Sequence, residues 1–155
     1  MKACPEHHSL DSMAKKLWEK NTTVNPEIER FTVGRDRELD LLLARYDILG
    51  SIAHSTMLQS IGMLTKDEME SLHRELRAIY STIEDGAFVI EEGVEDVHSQ
   101  VELMLTRHLG DTGKKIHSGR SRNDQVLVDV KLFLKDEVLA LRDEVLQLFY
   151  TLQSL

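Results

Sequence analysis

Hydrophobic positions along this chain recur at helical spacing between short polar breaks. From Asp36 to Ile61 the apolar residues Leu39, Leu42, Leu43, Tyr46, Leu49, Ile52, Ala53, Met57, Leu58 and Ile61 predict one helix with Gly62 as its end. Gly50 interrupts that pattern without ending it, and close helix packing is one reason for a glycine there. Thr65 and Glu68 have capping-box spacing before a second run. There Met69, Leu72, Leu76, Ile79, Tyr80 and Ile83 point inward, and the run stops near Gly86. The short stretch Ala87-Phe88-Val89-Ile90 has no strand partner in the sequence and reads as a buried loop crossing. Asp96 opens a third run, with Val97, Val101, Leu105 and Leu109 on one side and Gly110 at its end. Residues 111–122 read as a polar loop. Ser121 and Asp124 then repeat the capping logic, and a last run follows through Val126, Val130, Leu134, Val138, Leu141, Val145 and Leu148.

The expected fold is all-α. Residues 1–13 lack periodicity and read as a leader or disordered extension, and residues 19–35 are polar and irregular, with Asn25-Pro26 marking a turn or helix start. Residues 14–122 form a small N-terminal helical domain, and residues 123–155 the start of a further, truncated unit. That last helix is amphipathic over roughly 30 residues, against a mean near 11–12 in globular proteins. Its apolar face is still running at Leu148, Phe149, Leu152 and Leu155, so the chain reads as cut. A stripe of this kind calls for another domain or subunit, and self-association is the expectation for the chain by itself.

Composition narrows the class. Of 155 residues 41% are hydrophobic but only 5% aromatic, so the core must be aliphatic, and two prolines leave few helix breakers. The net charge of −8 argues against nucleic acid as a partner. Cys4 is the only cysteine, which fits a reducing compartment, and no apolar run has membrane-spanning length. No signal peptide is visible, so a cytoplasmic protein is expected, with no membrane partner.

The densest chemistry lies at residues 117–125, His-Ser-Gly-Arg-Ser-Arg-Asn-Asp-Gln, directly before the last helix. Lys114, Lys115, His117, Arg120 and Arg122 make a local basic cluster in an acidic chain. A donor-rich loop at a helix mouth suits a small anion, because the first-turn N–H groups are unpaired and the helix dipole is positive there. Arg120 and Arg122 offer planar forks for carboxylates, while Ser118, Ser121 and Asn123 offer neutral donors. A solvated, salt-bridged loop is the simpler local reading. A second polar cluster, Glu95-Asp96-Val97-His98-Ser99, sits at a helix start, where a cap with an exposed histidine is again the simpler reading. No phosphate loop, metal-ligand spacing or nucleophile elbow occurs, so neither cofactor nor metal is expected.

The nonapeptide His117 to Gln125 closely resembles the signature loop of the argininosuccinate lyase family and its delta-crystallin relatives, with Ser118 where the family usually has Thr. Glu95 to Ser99 resembles the family's Glu-Asp-x-His-Thr segment, and Tyr46 to His54 resembles its long N-terminal helix. Thr32 lies four residues before Asp36, where the family places a substrate-binding Ser. The usual Trp-Gly-Gly-Arg-Phe opening is altered to Trp18-Glu19-Lys20.

The resemblance covers about residues 14–155 and implies a fumarase/aspartase-like architecture, in which residues from 123 onward begin a central helical bundle. It implies reversible elimination of argininosuccinate to arginine and fumarate, without a cofactor, in a homotetramer. It also implies that Asn123 and Arg122 bind substrate with Thr32 and Ser118 in support, while Asp96, His98, Ser99, Arg120 and Ser121 line the site. The family's general-base His and catalytic Ser belong to motifs that do not occur in this chain. The 155 residues are therefore expected to be inactive by themselves. A non-enzymatic crystallin-like or helical interaction module is the alternative. A lyase acting on another succinyl substrate is disfavoured by the signature loop.

Overall fold

A computed structural model describes Phe31 and residues 36–155. The readings for residues 1–13, Trp18-Glu19-Lys20, Asn25-Pro26 and Thr32 lie outside those residues. The described residues are all-α and contain no strand, as expected. They form α1 (Asp36–Asp40), α2 (Ala44–Ser60), α3 (Lys66–Glu84), α4 (Val97–Leu109), α5 (Asp111–Lys114), a 3-10 turn (Lys115–His117) and α6 (Arg122–Gln153). α2 is the central rod and packs against α3, α4 and α6.

The single helix expected over 36–61 is broken at residues 41–43. There Leu42 N–H and Leu43 N–H bond back to the carbonyls of Leu39 and Asp40, a tighter turn than an α-helix makes. Distant contacts hold α1 off the axis of α2. Arg37 Nε donates to the Val94 carbonyl at 3.0 Å, and the Asp40 carboxylate accepts from Val97 N–H at 3.3 Å. The inward face also differs from the one expected. Leu39, Leu42, Leu49, Met57 and Ile61 are exposed, while Ala44, Tyr46, Asp47, Ile48, Ser51, Ser55 and Leu58 are buried. Apolar residues lie all around α2, so neighbours on several sides decide which positions are covered.

The other elements follow local chemistry more closely. α3 starts on the expected capping box: Glu68 N–H donates to Thr65 Oγ1 at 3.2 Å, and Thr65 N–H donates to the Glu68 carboxylate at 2.9 Å. Its Leu72, Leu76 and Ile79 are buried, with Tyr80 and Ile83 packed at the edge. Phe88 anchors the crossing loop in the core. Asp96 caps α4 by accepting from Ser99 N–H at 2.8 Å, and Gly110 closes it. The core is mainly aliphatic, with Phe88 and Tyr46 as its buried aromatics, and is built from Ile48, Leu58, Leu72, Leu76, Val97, Val101, Leu105, Ile116 and their neighbours.

Residues 111–117, expected as loop, are helical. Gly113 makes this possible, because a β-carbon there would lie 2.5 Å from the Leu105 carbonyl group. With only hydrogen at that position α5 presses on α4, and Ile116 reaches the core at 2% exposure. The true loop is therefore short, residues 118–121, turned by Gly119 at φ 73°. α6 begins at Arg122 with the expected second capping box. Ser121 N–H donates to the Asp124 carboxylate at 3.2 Å, and Asp124 N–H donates to Ser121 Oγ at 3.4 Å.

Candidate active site

Two helix starts face each other at the loop. Arg122 bridges them, donating to Ser99 Oγ at 3.0 Å and pairing with Asp96 at 3.0 Å and Glu95 at 3.4 Å. This contact joins three residues the sequence nominated, Asp96, Ser99 and Arg122. The Arg122 fork is thus engaged by carboxylates of the protein itself, and a substrate carboxylate would have to exchange with them. Asn123 and Ser121 stand exposed at the same mouth. Ser118 is held through its carbonyl, which accepts from His54 Nε2 at 2.9 Å. Burial lowers the His54 pKa against that hydrogen bond, and the Arg120 and His117 charges lower it further, so the ring is neutral and donates its Nε2–H.

The remaining nominated residues point the other way. His98 is buried at 7% exposure, not an exposed neighbour of the cap, and its Nδ1 meets Asp47 Oδ1 at 2.9 Å and Asp129 Oδ2 at 3.7 Å. Arg120 turns inward and donates to Ser51 Oγ at 3.1 Å. Gln125 Nε2 donates to Asp47 Oδ1 at 3.4 Å. Behind the mouth there is thus an interior cluster of Asp47, His98, Arg120, Gln125 and Asp129, where α2, α4 and α6 meet. Asp47 and Asp129 are each 1% exposed. Burial, with the nearby Asp47 charge, pushes the Asp129 carboxyl up to about 7 against the His98 and Arg120 charges. Burial acts to lower the His98 pKa, but the Asp47 hydrogen bond and the charges of Asp47, Asp96 and Asp129 leave it raised. Desolvation lowers Arg120, with Asp47, Asp129 and Glu102 opposing.

Sequence reasoning named neither Asp47 nor Asp129 as a site residue. The available signal was a polar line in otherwise apolar helices, Asp47-Ser51-Ser55 on α2 and Gln125-Asp129 on α6, each at i,i+4 spacing. Gly50 sits beside this contact, where a β-carbon would touch Val128 at 3.4 Å and Asp129 at 3.6 Å, in keeping with the close packing expected of it. Donor atoms of Asp47, His98 and Asp129 lie within 4.8 Å of one another, a spacing that fits a cation. The Arg120 guanidinium already acts on the same two carboxylates, and the three are not assigned as metal ligands. Among the described residues no helix is long and apolar enough to cross a membrane.

Comparison with known proteins converges on one family. Residues 9–155 match the family described as lyase. The chain is 67% identical over 140 residues to an argininosuccinate lyase of Bacteroides thetaiotaomicron, covering 90% of this chain and 31% of that protein. It is 68% identical over 142 residues to the argininosuccinate lyase of Phocaeicola vulgatus, covering 92% of this chain and 32% of the relative. A more distant argininosuccinate lyase from Thermotoga neapolitana is 46% identical over 136 residues, covering 88% of this chain and 34% of that relative. The chain spans about a third of the length of these relatives. With the match running from the N-terminal region through α6, the chain belongs to the lyase family.

Proposed function

We propose that this chain is the N-terminal part of an argininosuccinate lyase, which eliminates arginine from argininosuccinate to leave fumarate. The observation that carries this reading is the signature loop, residues 117–125, seated between the starts of α4 and α6 with Arg122 joining them. The relatives' names point to the same reaction. In this elimination a base removes a proton beside a carboxylate and a dianionic aci-carboxylate develops, so prearranged donors around the carboxylates carry much of the catalysis. Asn123 and Arg122 hold the substrate, Ser118 and Thr32 support them, and Asp96, Ser99 and Ser121 line the mouth. His98 and Arg120 act from behind the loop. The residues that move protons come from sequence outside this chain.

Residues 14–122 act as a unit and residues 123–155 open a central bundle. The exposed line Leu134, Val138, Leu141, Val145, Leu148 and Leu152 is covered in a homo-oligomer, a tetramer for the whole protein, working in the cytoplasm. Fumarate formation from argininosuccinate tests the reading. A polypeptide of the relatives' full length that begins with this chain turns the substrate over, and Asn123→Ala lowers its kcat/KM by about 100-fold or more. The 155-residue chain by itself gives no steady-state release. Turnover by the short chain would refute its proposed inactivity, and absence of turnover in the full-length form would sink the lyase reading.

A further inference from the structure

The interior cluster leaves a surplus of buried acceptors. Asp47 Oδ2, Asp129 Oδ2 and Gln125 Oε1 lack a hydrogen-bond partner, and Arg120 Nε is the one unpaired donor among them. Two carboxylates, each 1% exposed, flank His98 Nδ1, which bonds Asp47 Oδ1 at 2.9 Å while Asp129 Oδ2 stands at 3.7 Å, beyond hydrogen-bond reach. Such a pair does not stay doubly ionised at small cost, because desolvation and mutual repulsion add. The facing charged groups are Asp40 on α1, Asp47 on α2, Asp96 at the cap of α4 with its partner Arg122, His98 and Glu102 on α4, Arg120 in the loop and Asp129 on α6. Asp96 is paired with Arg122, so the unrelieved repulsion is the one between Asp47 and Asp129 across His98, and a proton held between them removes it.

We infer that Asp47, His98 and Asp129 form a buried proton-holding site whose occupancy positions the loop 118–121 and the first turns of α6. The loop is coupled to the site from both ends. Arg120 reaches from it to Ser51 on α2, and Gln125, one turn into α6, donates to Asp47. Loss of the proton places two carboxylate charges between α2 and α6, and the element that can yield is the short loop with the start of α6. These three are positioning residues for the mouth where Arg122 and Asn123 stand. The inference needs only the fold and stands apart from the lyase reading.

Carboxyl-carbon and imidazole NMR titration of the 155-residue chain tests it, together with amide exchange of residues 118–125. The expected result is that Asp129 titrates with a midpoint far above an ordinary carboxyl. Loop protection, corrected for intrinsic base catalysis, then falls about tenfold or more between about pH 6 and pH 8. In Asp129→Asn that fall is absent. Should Asp129→Asn not fold, the wild-type titration decides alone. An Asp129 midpoint near an ordinary carboxyl, or loop protection with the same pH course in both proteins, would overturn the inference. A stoichiometric shift of the same signals on adding Zn2+ would also overturn it, in favour of a metal ion. Neither measurement uses turnover, so failure here and failure of the proposed reaction are separable.

Discussion

Along α6 the usual relation between polarity and burial is inverted. In its first turns the buried side chains are Gln125 and Asp129. Further on, Leu141, Val145, Leu148 and Phe149 are each more than half exposed. The first part is seated by a polar cluster, and the second has an apolar face that is exposed among the described residues. Edge contact between Tyr46 and Phe133, and pairing of Arg45 with Asp136 at 3.0 Å, mark where the helix leaves the body. One helix therefore does two jobs. Its start packs Gln125 and Asp129 into the body, and its length presents exposed apolar side chains.

The largest test of that contrast removes one member of the seat. Asp47→Ala leaves His98 and Arg120 buried without their common carboxylate, which costs about 3–5 kcal/mol at neutral pH by chemical denaturation. Leu141→Ala, on the projecting part, changes the stability of the single chain by less than about 0.5 kcal/mol. Equal costs at both places would erase the distinction. Next comes association. Replacing Leu141 and Leu148 by Asp weakens self-association of the 155-residue chain by about 100-fold or more in sedimentation while α6 stays helical. A strictly monomeric wild type at high concentration would show that the stripe needs no copy of itself.

The third test is pH. A folded-state pKa of about 7 for Asp129, above its unfolded value, means the folded state holds a proton that the unfolded state releases. That stability is complete below the unfolded carboxyl pKa and is lost as pH rises through about 7. His98, also raised, has the same sign: its contribution is present below the ordinary histidine range and fades as pH rises through its folded value. The two act in the same direction, so the unfolding free energy from urea titrations falls from about pH 5 to pH 8 by on the order of 1–3 kcal/mol. Asp129→Asn flattens most of that slope and is the more stable protein on the alkaline side. A flat profile across that range would show that both groups are ordinary.

Which parts were legible in the sequence follows from how local their causes are. Both capping boxes, the Asp96 cap and the Gly110 stop are decided within four residues, and each stands where the pattern put it. The break at residues 41–43 was invisible because Arg37 and Asp40 are held by residues 57 positions away. The helical turns at 111–117 depend on Gly113 meeting Leu105, a fit that a polar run does not display. At the exposed mouth the two segments, 95–99 and 118–123, were each readable because their residues adjoin in the chain, while their meeting through Arg122 was not. The cluster behind it joins residues 47, 98 and 129, which only the packing of three helices brings together.

The smallest test concerns the joint between seat and loop. Ser121 caps α6 through Asp124 N–H, and Asp124 answers through Ser121 N–H, both at the exposed surface. Ser121→Ala removes one half of that exchange and costs about 1 kcal/mol, as exposed caps do. Ser121→Gly costs only a few tenths, because the cap conformation itself stays open to glycine. Since the seat is held by Asp47 and Asp129 rather than by the cap, amide exchange in the Ser121→Ala protein rises in the first turn of α6 but not around Asp129. Loosening that spread to Asp129 would mean the cap, and not the buried cluster, holds the helix to the body.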